Sequence, residues 1–156
     1  MGRSRLTDFS LEKVPSSRVA SIVHVGGWKE DHLRAEFREL TRWAKQHRIR
    51  TGRWIFVDVR ASHRRWEACL EVRGAAVPEG RIRIKTLPAS WVAKVVFNPE
   101  QVSSRLVYHG LNDWTKWRRR TREIRSVTSI REVFSADPWK VTSAWENCEV
   151  QYLVRR

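Results

Sequence analysis

The sequence lacks the features that mark several classes of protein. No apolar run approaches the roughly 18 residues that a membrane span requires, so we expect no membrane partner. The basic N-terminus, residues 1–6, has no apolar stretch typical of a secretory signal, and a cytoplasmic location is therefore expected. Five prolines and seven glycines, without low-complexity tracts, argue against disorder.

Reactive and metal-binding motifs are also scarce. The two cysteines, Cys69 and Cys148, are expected to be reduced and buried, because nothing indicates an oxidising compartment. The five histidines show no metal-ligand spacing, and neither a Ser-His-Asp arrangement nor a glycine-rich phosphate loop is visible. We therefore expect no metal site and no cofactor.

Acidic residues are few beside the basic ones. The chain has 17 Asp and Glu against 31 Lys and Arg, a formal net charge of +14, and it carries nine tryptophans. Basic charge favours a polyanionic partner, and exposed aromatic rings would suit base stacking. The alternative is a solvated basic surface over a core that contains the tryptophans. Because no DNA-binding motif is visible, we expect only weak, non-specific nucleic-acid binding.

An internal repeat organises the chain. Five residues of the segment 14–23 recur in 87–96 at one constant offset: Pro15, Ser17, Val19, Ala20 and Val23 return as Pro88, Ser90, Val92, Ala93 and Val96. Further matches follow in the same order, at 37–43 with 111–117 and at 66–69 with 145–148. We predict one domain over 1–156, with repeat 1 at about 5–73 and repeat 2 at about 81–156.

The hydrophobic pattern assigns the same elements to each repeat. Helices are predicted over about 31–47 and 104–122, where apolar residues recur on one helical face. Strands are predicted over 9–12, 18–25, 54–58 and 66–73, and again over 81–85, 90–97, 130–136 and 144–154. Each repeat is therefore a strand hairpin, a helix and two further strands, and the fold class is α+β.

The order of several short motifs resembles the GyrI-like small-molecule-binding domains, which also serve as effector-binding domains of AraC- and MerR-type drug-responsive regulators. The motifs are the Leu-Pro-x-x-x-Val-Ala strand entries at 14–20 and 87–93, Val25-Gly-Gly-Trp28, Phe37-x-x-Leu40-x-x-Trp43, Glu132-Val-Phe134, Ala136-Asp-Pro138 and the closing strand 149–154. The resemblance implies a duplicated βαββ unit with pseudo-twofold symmetry and a central cleft.

In such domains the cleft holds planar, often cationic aromatic compounds between aromatic walls, with a carboxylate from the final strand. The resemblance puts Glu149 at that position when the strand is matched from its end. Phe56 and Phe134 stand where tyrosines are common, Gly27 replaces a proline, and Trp145 lies one residue further from the glutamate. Because one residue reverses the face of a strand, the direction of Glu149 stays open between cleft and solvent.

The candidate ligand-binding residues are six aromatic side chains and one carboxylate: Trp28, Phe56, Trp91, Tyr108, Phe134, Trp139 and Glu149. Trp28 follows the glycine break, and Trp91 stands where the first repeat has Arg18, so the architecture does not require an aromatic there. Packing is the alternative role for each ring, and we expect packing for Trp43 and Trp117 on the two helices.

The leading hypothesis is a stand-alone protein that binds hydrophobic, planar, cationic aromatic molecules without catalysis. A second hypothesis, also from the resemblance, is hydrolysis of strained-ring, DNA-alkylating natural products through Glu149 and Tyr108. The two phenylalanines count against it, because they lack the hydroxyl groups. A third is inhibition of DNA gyrase or association with nucleic acid, which the net charge favours.

Overall fold

A computed structural model of the chain describes residues 8–27, 29–59 and 65–156. Its strands are β1 (Ser10–Val14), β2 (Ser17–Val25), β3 (Arg50–Val59), β4 (Arg65–Arg73), β5 (Arg83–Leu87), β6 (Ser90–Phe97), β7 (Ser126–Phe134) and β8 (Cys148–Arg155). Its helices are α1 (Glu30–Gln46) and α2 (Ser104–Arg120), and a short 3-10 helix spans Thr142–Trp145. The predicted α+β class is confirmed.

The eight strands form one antiparallel sheet, curled into a half-barrel, in the order β1-β6-β8-β7-β3-β4-β2-β5. If the labels β1–β4 are exchanged with β5–β8 in sequence, the resulting order is the same sheet listed from its opposite edge. Two repeats related by a twofold axis require this symmetry of the strand order. The superposition of the two repeats, and their bounds within one domain, stay predictions.

The predicted hairpins at the start of each repeat are wrong. β1 does not pair with β2 but with β6 of the other half, and β5 pairs with β2. A tight hairpin needs positive φ in its turn, whereas neither Pro15 nor Ser16 has positive φ. Proline also favours an extended conformation for the residue before it, so the chain runs on from β1 towards another strand. The first strand of each half therefore pairs with the second strand of the other half.

Both helices pack on one face of the sheet. α1 lies over β2 and β4, and α2 lies over β6, so the two central strands, β3 and β7, run between the parts that the helices cover. The amphipathic pattern explains this packing, because Leu33, Phe37 and Leu40 of α1 and Val107 and Leu111 of α2 are all buried against the sheet. No helix within the described ranges is long and apolar enough to cross a membrane.

The opposite face of the sheet is also buried at its centre. Trp54 and Phe56 of β3 belong to the large core beneath the helices, while Ile55 and Val57 belong to a second apolar cluster on the other face. The alternation within the predicted strand 54–58 indicates that only one of these pairs is core, and that prediction is wrong, because both pairs are buried. Curling of the sheet allows side chains on the helix-free face to cover one another, which buries both pairs.

Three strands begin about four residues away from their predicted starts, and the other boundaries differ by no more than about two. β3 begins at Arg50 and not at residue 54, and a register shift separates Thr51 from Trp54 within it. The final strand begins only at Cys148, because Trp145 lies in the 3-10 helix. β7 begins at Ser126 and ends at Phe134, so the predicted strand was placed too late.

Candidate ligand-binding site

A cavity of about 140 Å³ lies over the two central strands, on the face that carries the helices. Its lining residues are Phe56 and Asp58 of β3, Ile130 and Glu132 of β7, and Tyr108 of α2. All but Phe56 are partly exposed, so the cavity opens to solvent. It combines two carboxylates, two aromatic rings and one aliphatic side chain.

Strand register explains why a carboxylate lies in this cavity. The cross-strand row through the site consists of Ile22, Ala68, Phe56, Glu132, Val150 and Val95, each opposite the next. Every member except Glu132 is apolar and belongs to the core beneath the helices. Because alternate residues of a strand share a face, Glu132 has to lie on the core side with Ile130 and Phe134.

Tyr108 caps this carboxylate. Its hydroxyl donates a hydrogen bond to Glu132 Oε1 and so bridges α2 and β7. The ring lies 6.3 Å from that of Tyr152, whose hydroxyl in turn donates to Asn112 Oδ1 at 2.6 Å. Tyr152 and Asn112 therefore help to fix α2 against β8 next to the site.

Burial sets the electrostatics of the pair. It raises the pKa of Glu132 above the usual value, and the nearby charge of Asp58 acts in the same direction, while the hydrogen bond from Tyr108 opposes both. The pKa of Tyr108 is also raised, first by burial and then by the charge of Glu132. The site thus presents a carboxylate that is easier to protonate than a solvated one, beside a hydroxyl group that donates to it.

The structure brings two of the predicted site residues together, Phe56 and Tyr108, which line the same cavity. Trp28 lies outside the described residues. Phe134 is buried and meets the Trp145 ring edge-on, with the centroids 5.2 Å apart. It shares the cavity's face of β7 but not its lining.

The two other predicted tryptophans lie elsewhere. The Trp139 ring is 5.7 Å from that of Phe37, and its indole N–H donates to Glu30 at 3.5 Å, so it packs on the α1 side. Trp91 of β6 has the guanidinium carbon of Arg156 at 4.4 Å from its ring centroid. Neither lines the cavity at Glu132.

Glu149 lies on the opposite face of the sheet. Its neighbours in register are Val133 and Val96, and it accepts a hydrogen bond from Gln151 two residues along the same strand. Lys94 approaches its carboxylate at 3.9 Å. The structure therefore does not bring Glu149 together with Phe56 and Tyr108.

Glu132 belongs to the motif Glu132-Val-Phe134 but was not among the predicted site residues. A usable signal was present in the spacing Ile130-x-Glu132-x-Phe134, because a carboxylate between two apolar residues on one strand face is directed into a core. The final strand contains a second glutamate, Glu149. The sequence does not show which face of each strand is directed to the cavity, so it could not decide which of the two glutamates belongs to the site.

A further buried carboxylate, on the inner face of α1, was also missed. Glu36 is 2% exposed, and its Oε1 meets His24 Nδ1 at 3.1 Å and Arg81 at 3.4 Å. Burial raises the pKa of Glu36, against the hydrogen bond from His24. The His24 ring stacks on Trp66 with centroids 4.4 Å apart. The two bonds tie β2 and the segment before β5 to α1, which makes this cluster an anchor for the helix.

The structure has the fold that the sequence resemblance implied. No protein-family model matches the sequence, and no curated protein matches it. Solved structures do match. The C-terminal domain of EcmrR has a TM-score of 0.73 at 17% sequence identity, over 95% of this chain and 97% of that domain. The EcmrR chain in a complex with DNA also matches, with a TM-score of 0.63 at 19% sequence identity. This match covers 95% of the present chain but spans only 57% of the length of that EcmrR chain.

Two further structures carry the same fold with less sequence similarity. SAV2435 bound to tetraphenylphosphonium gives a TM-score of 0.54 at 9% identity, over 94% of this chain and 93% of that one. A hydrolase encoded by lin2189 from Listeria innocua gives a TM-score of 0.56 at 8% identity, over 94% and 91%. At these identities the likeness establishes the fold.

Proposed function

We propose that this protein binds hydrophobic aromatic cations in the cavity around Glu132. The single observation that carries the proposal is the position of Glu132, a carboxylate in a cross-strand row that is otherwise apolar. A partly desolvated carboxylate is costly unless a positive charge or a proton accompanies it. An aromatic cation supplies the charge and also fills the apolar surroundings.

The net charge of the protein works against a cationic ligand only at long range. The field of a formal charge of +14 is screened over about 8 Å at physiological ionic strength. A carboxylate at contact distance acts locally, in surroundings where an ion pair is stronger than in water. The rings of Phe56 and Tyr108 add dispersion and cation–π attraction of roughly 0.5–2 kcal/mol for a good contact. The local terms therefore dominate.

The size of the cavity sets a condition on binding. At about 140 Å³ it is smaller than the roughly 300–1,000 Å³ of common small-molecule sites. A drug-sized ligand therefore has to displace Tyr108 from Glu132 and replace its hydrogen bond. SAV2435, which shares the fold, is bound to tetraphenylphosphonium, and this likeness supports a lipophilic cation as the ligand class here.

Ligand titration tests the proposal directly. Tryptophan fluorescence is followed while a cationic planar dye such as a rhodamine is added, beside a neutral dye of the same shape and an anionic one. The cationic dye should bind at least about tenfold more tightly than the neutral one, because a hydrogen-bonded charge contributes roughly 1.5–3 kcal/mol. Preference for the anionic dye would mean that the arginines set the chemistry of the site, contrary to the proposal.

A hydrolase function is the second candidate, and one contact favours it, the hydrogen bond from Tyr108 to Glu132. In this scheme water attacks a strained ring, Glu132 takes the proton of the water, and Tyr108 protonates the atom released by ring opening. The proton then returns from Glu132 to Tyr108 across their hydrogen bond. Tyr108→Phe should abolish turnover of an epoxide or aziridine probe, yet bind the cationic dye at least as tightly as the wild type, because the dye no longer has to displace the Tyr108 hydroxyl from Glu132. Equal turnover in wild type and variant would exclude this scheme.

A further inference from the structure

A strongly basic surface lies at the C-terminal end of α2. A depression of about 660 Å³ is lined there by Ile124 and by five cationic side chains: Lys116, Arg119, Arg120, Arg122 and Arg125. All five are exposed. Across the ranges that the structure describes, none of the five side chains forms an ion pair or a hydrogen bond. The five charges therefore face solvent without a counter-ion from the residues that the structure describes.

The first half of the chain shows that this charge is not required by the fold. The corresponding end of α1 carries a depression of about 450 Å³, whose charged lining residues are Glu39, Arg42, Glu79 and Arg81. Two acids and two arginines cancel there, and Arg81 pairs with Glu39 at 3.0 Å. Both helices are followed by an arginine with positive φ, Arg48 at 53° and Arg122 at 65°. The backbone is alike, but acidic side chains line the depression of the first half and none lines that of the second.

Helix stabilisation explains only part of the cluster. Cations in the last turn of a helix interact favourably with its dipole, which accounts for Arg119 and Arg120. The effect is confined to that turn, whereas Arg122 and Arg125 follow the helix. Like charges brought this close repel each other, so the cluster gains from an anion that binds across it.

An exposed tryptophan lies next to these cations. Trp117 is 61% exposed, so the prediction that it serves packing is wrong. It lies three residues before Arg120 and beside Lys116 on the outer side of α2. Trp114, one turn earlier, is in contrast covered by Phe9 and Arg118, with ring-centroid distances of 6.2 and 4.6 Å. An open aromatic ring beside unpaired cations fits a chain that carries both phosphates and bases.

We propose that the surface formed by Lys116, Trp117, Arg119, Arg120, Arg122 and Arg125 binds single-stranded nucleic acid without sequence preference. The cations hold the phosphates, and Trp117 stacks on an unpaired base. A duplex offers the same phosphates but keeps its base faces covered, so Trp117 distinguishes the two forms. The proposal does not rest on the small-molecule site around Glu132.

Fluorescence anisotropy with a labelled dT12 oligonucleotide tests the charge. Each phosphate neutralised on a single strand contributes about −0.7 to the slope of log K against log salt concentration. Five cations give a slope near −3.5 between about 50 and 200 mM NaCl. Arg120→Gln with Arg122→Gln should make the slope shallower by about 1.4 and weaken binding at the lowest salt on the order of tenfold.

A matched control distinguishes binding by this surface from a general effect of the protein's positive net charge. Arg42→Gln with Arg48→Gln removes the same charge from one helical and one positive-φ arginine in the first half. This control should change the affinity for dT12 less than about threefold, because Arg42 and Arg48 are not among the residues of the proposed surface and long-range contributions are screened by salt. An equal loss in the control and in the α2 variant would overturn the proposal, and so would failure of the wild type to bind dT12 at low salt.

Trp117→Leu tests the stacking contact. It should weaken binding of dT12 roughly fivefold or more and leave the affinity for a 12-base-pair duplex unchanged, because stacking needs an unpaired base. A protein that prefers the duplex and is indifferent to Trp117→Leu is a duplex-binding protein, and the single-strand proposal is then refuted.

Discussion

Replacement of Glu132 by glutamine is the sharpest test of the small-molecule site. Glutamine keeps the volume and still accepts the hydrogen bond from Tyr108, so the variant removes the charge alone. A hydrogen bond to a charged group contributes roughly 1.5–3 kcal/mol, which corresponds to a roughly 10- to 150-fold loss of affinity for a cationic dye. The neutral dye of the same shape should lose less than about threefold.

Glu149→Gln provides the matched control for this variant. It makes the same chemical change in β8, but on the opposite face of the sheet, where Glu149 meets Lys94 and Gln151. Its effect on either dye should stay within about twofold, because a partly exposed carboxylate contributes little across the sheet. If Glu149→Gln erases the preference for the cation and Glu132→Gln does not, the reasoning from strand register is refuted.

The pH dependence gives a second readout for Glu132. Because burial raises its pKa in the folded protein, the stability that protonation provides is complete below the pKa of the unfolded chain and is lost as pH rises through the folded pKa. Affinity for a cation runs the other way and increases through the same range. Glu132→Gln should remove this pH dependence of dye affinity and raise the melting temperature at pH 7.5. A pH profile unchanged by the variant would contradict the assignment.

Three further predictions concern the fold itself. Burial raises the pKa of Cys69 and Cys148 to about 12, so native protein should resist maleimide at pH 7.5 and react only after denaturation, and rapid native labelling would contradict this. Arg131 is 6% exposed and its Nε has no hydrogen-bond partner among the described residues, so Arg131→Met should raise the free energy of unfolding in urea by about 1–3 kcal/mol, and a loss would count against it. Leu40→Ala and Leu111→Ala, at fully buried positions on the two helices, should each lower it by about 2–5 kcal/mol, whereas a change below about 1 kcal/mol would mean that the core is not tightly packed there.

The elements of this protein were largely readable from its sequence. Apolar residues at helical spacing located α1 and α2 to within two residues at each end, and β6 was predicted with its observed bounds. These signals are local, because each depends only on which residues recur along one face of one element. The order of motifs was likewise sufficient to indicate the architecture.

The burial of the helical tryptophans could not be predicted from local sequence patterns. Trp43 and Trp117 occupy similar places on the two helices, and the sequence treated them alike. The structure buries Trp43, whose indole N–H donates to the carbonyl of Val77, and leaves Trp117 exposed. The two tryptophans differ in burial because a distant segment of the chain covers Trp43 but not Trp117. The pattern of apolar residues in a helix does not reveal which distant segment will pack on it.

The sequence alone determined the elements, the α+β class and a set of aromatic and acidic candidates, because periodicity and composition are properties of neighbouring residues. Only the tertiary structure decided that β1 and β5 pair across the halves, since strand pairing joins residues far apart in the chain. It also decided that Glu132 and not Glu149 lies in the cavity with Tyr108. Alternation along a strand separates two faces, but both faces of this sheet are buried at the centre, so the pattern could not reveal which one the helices cover.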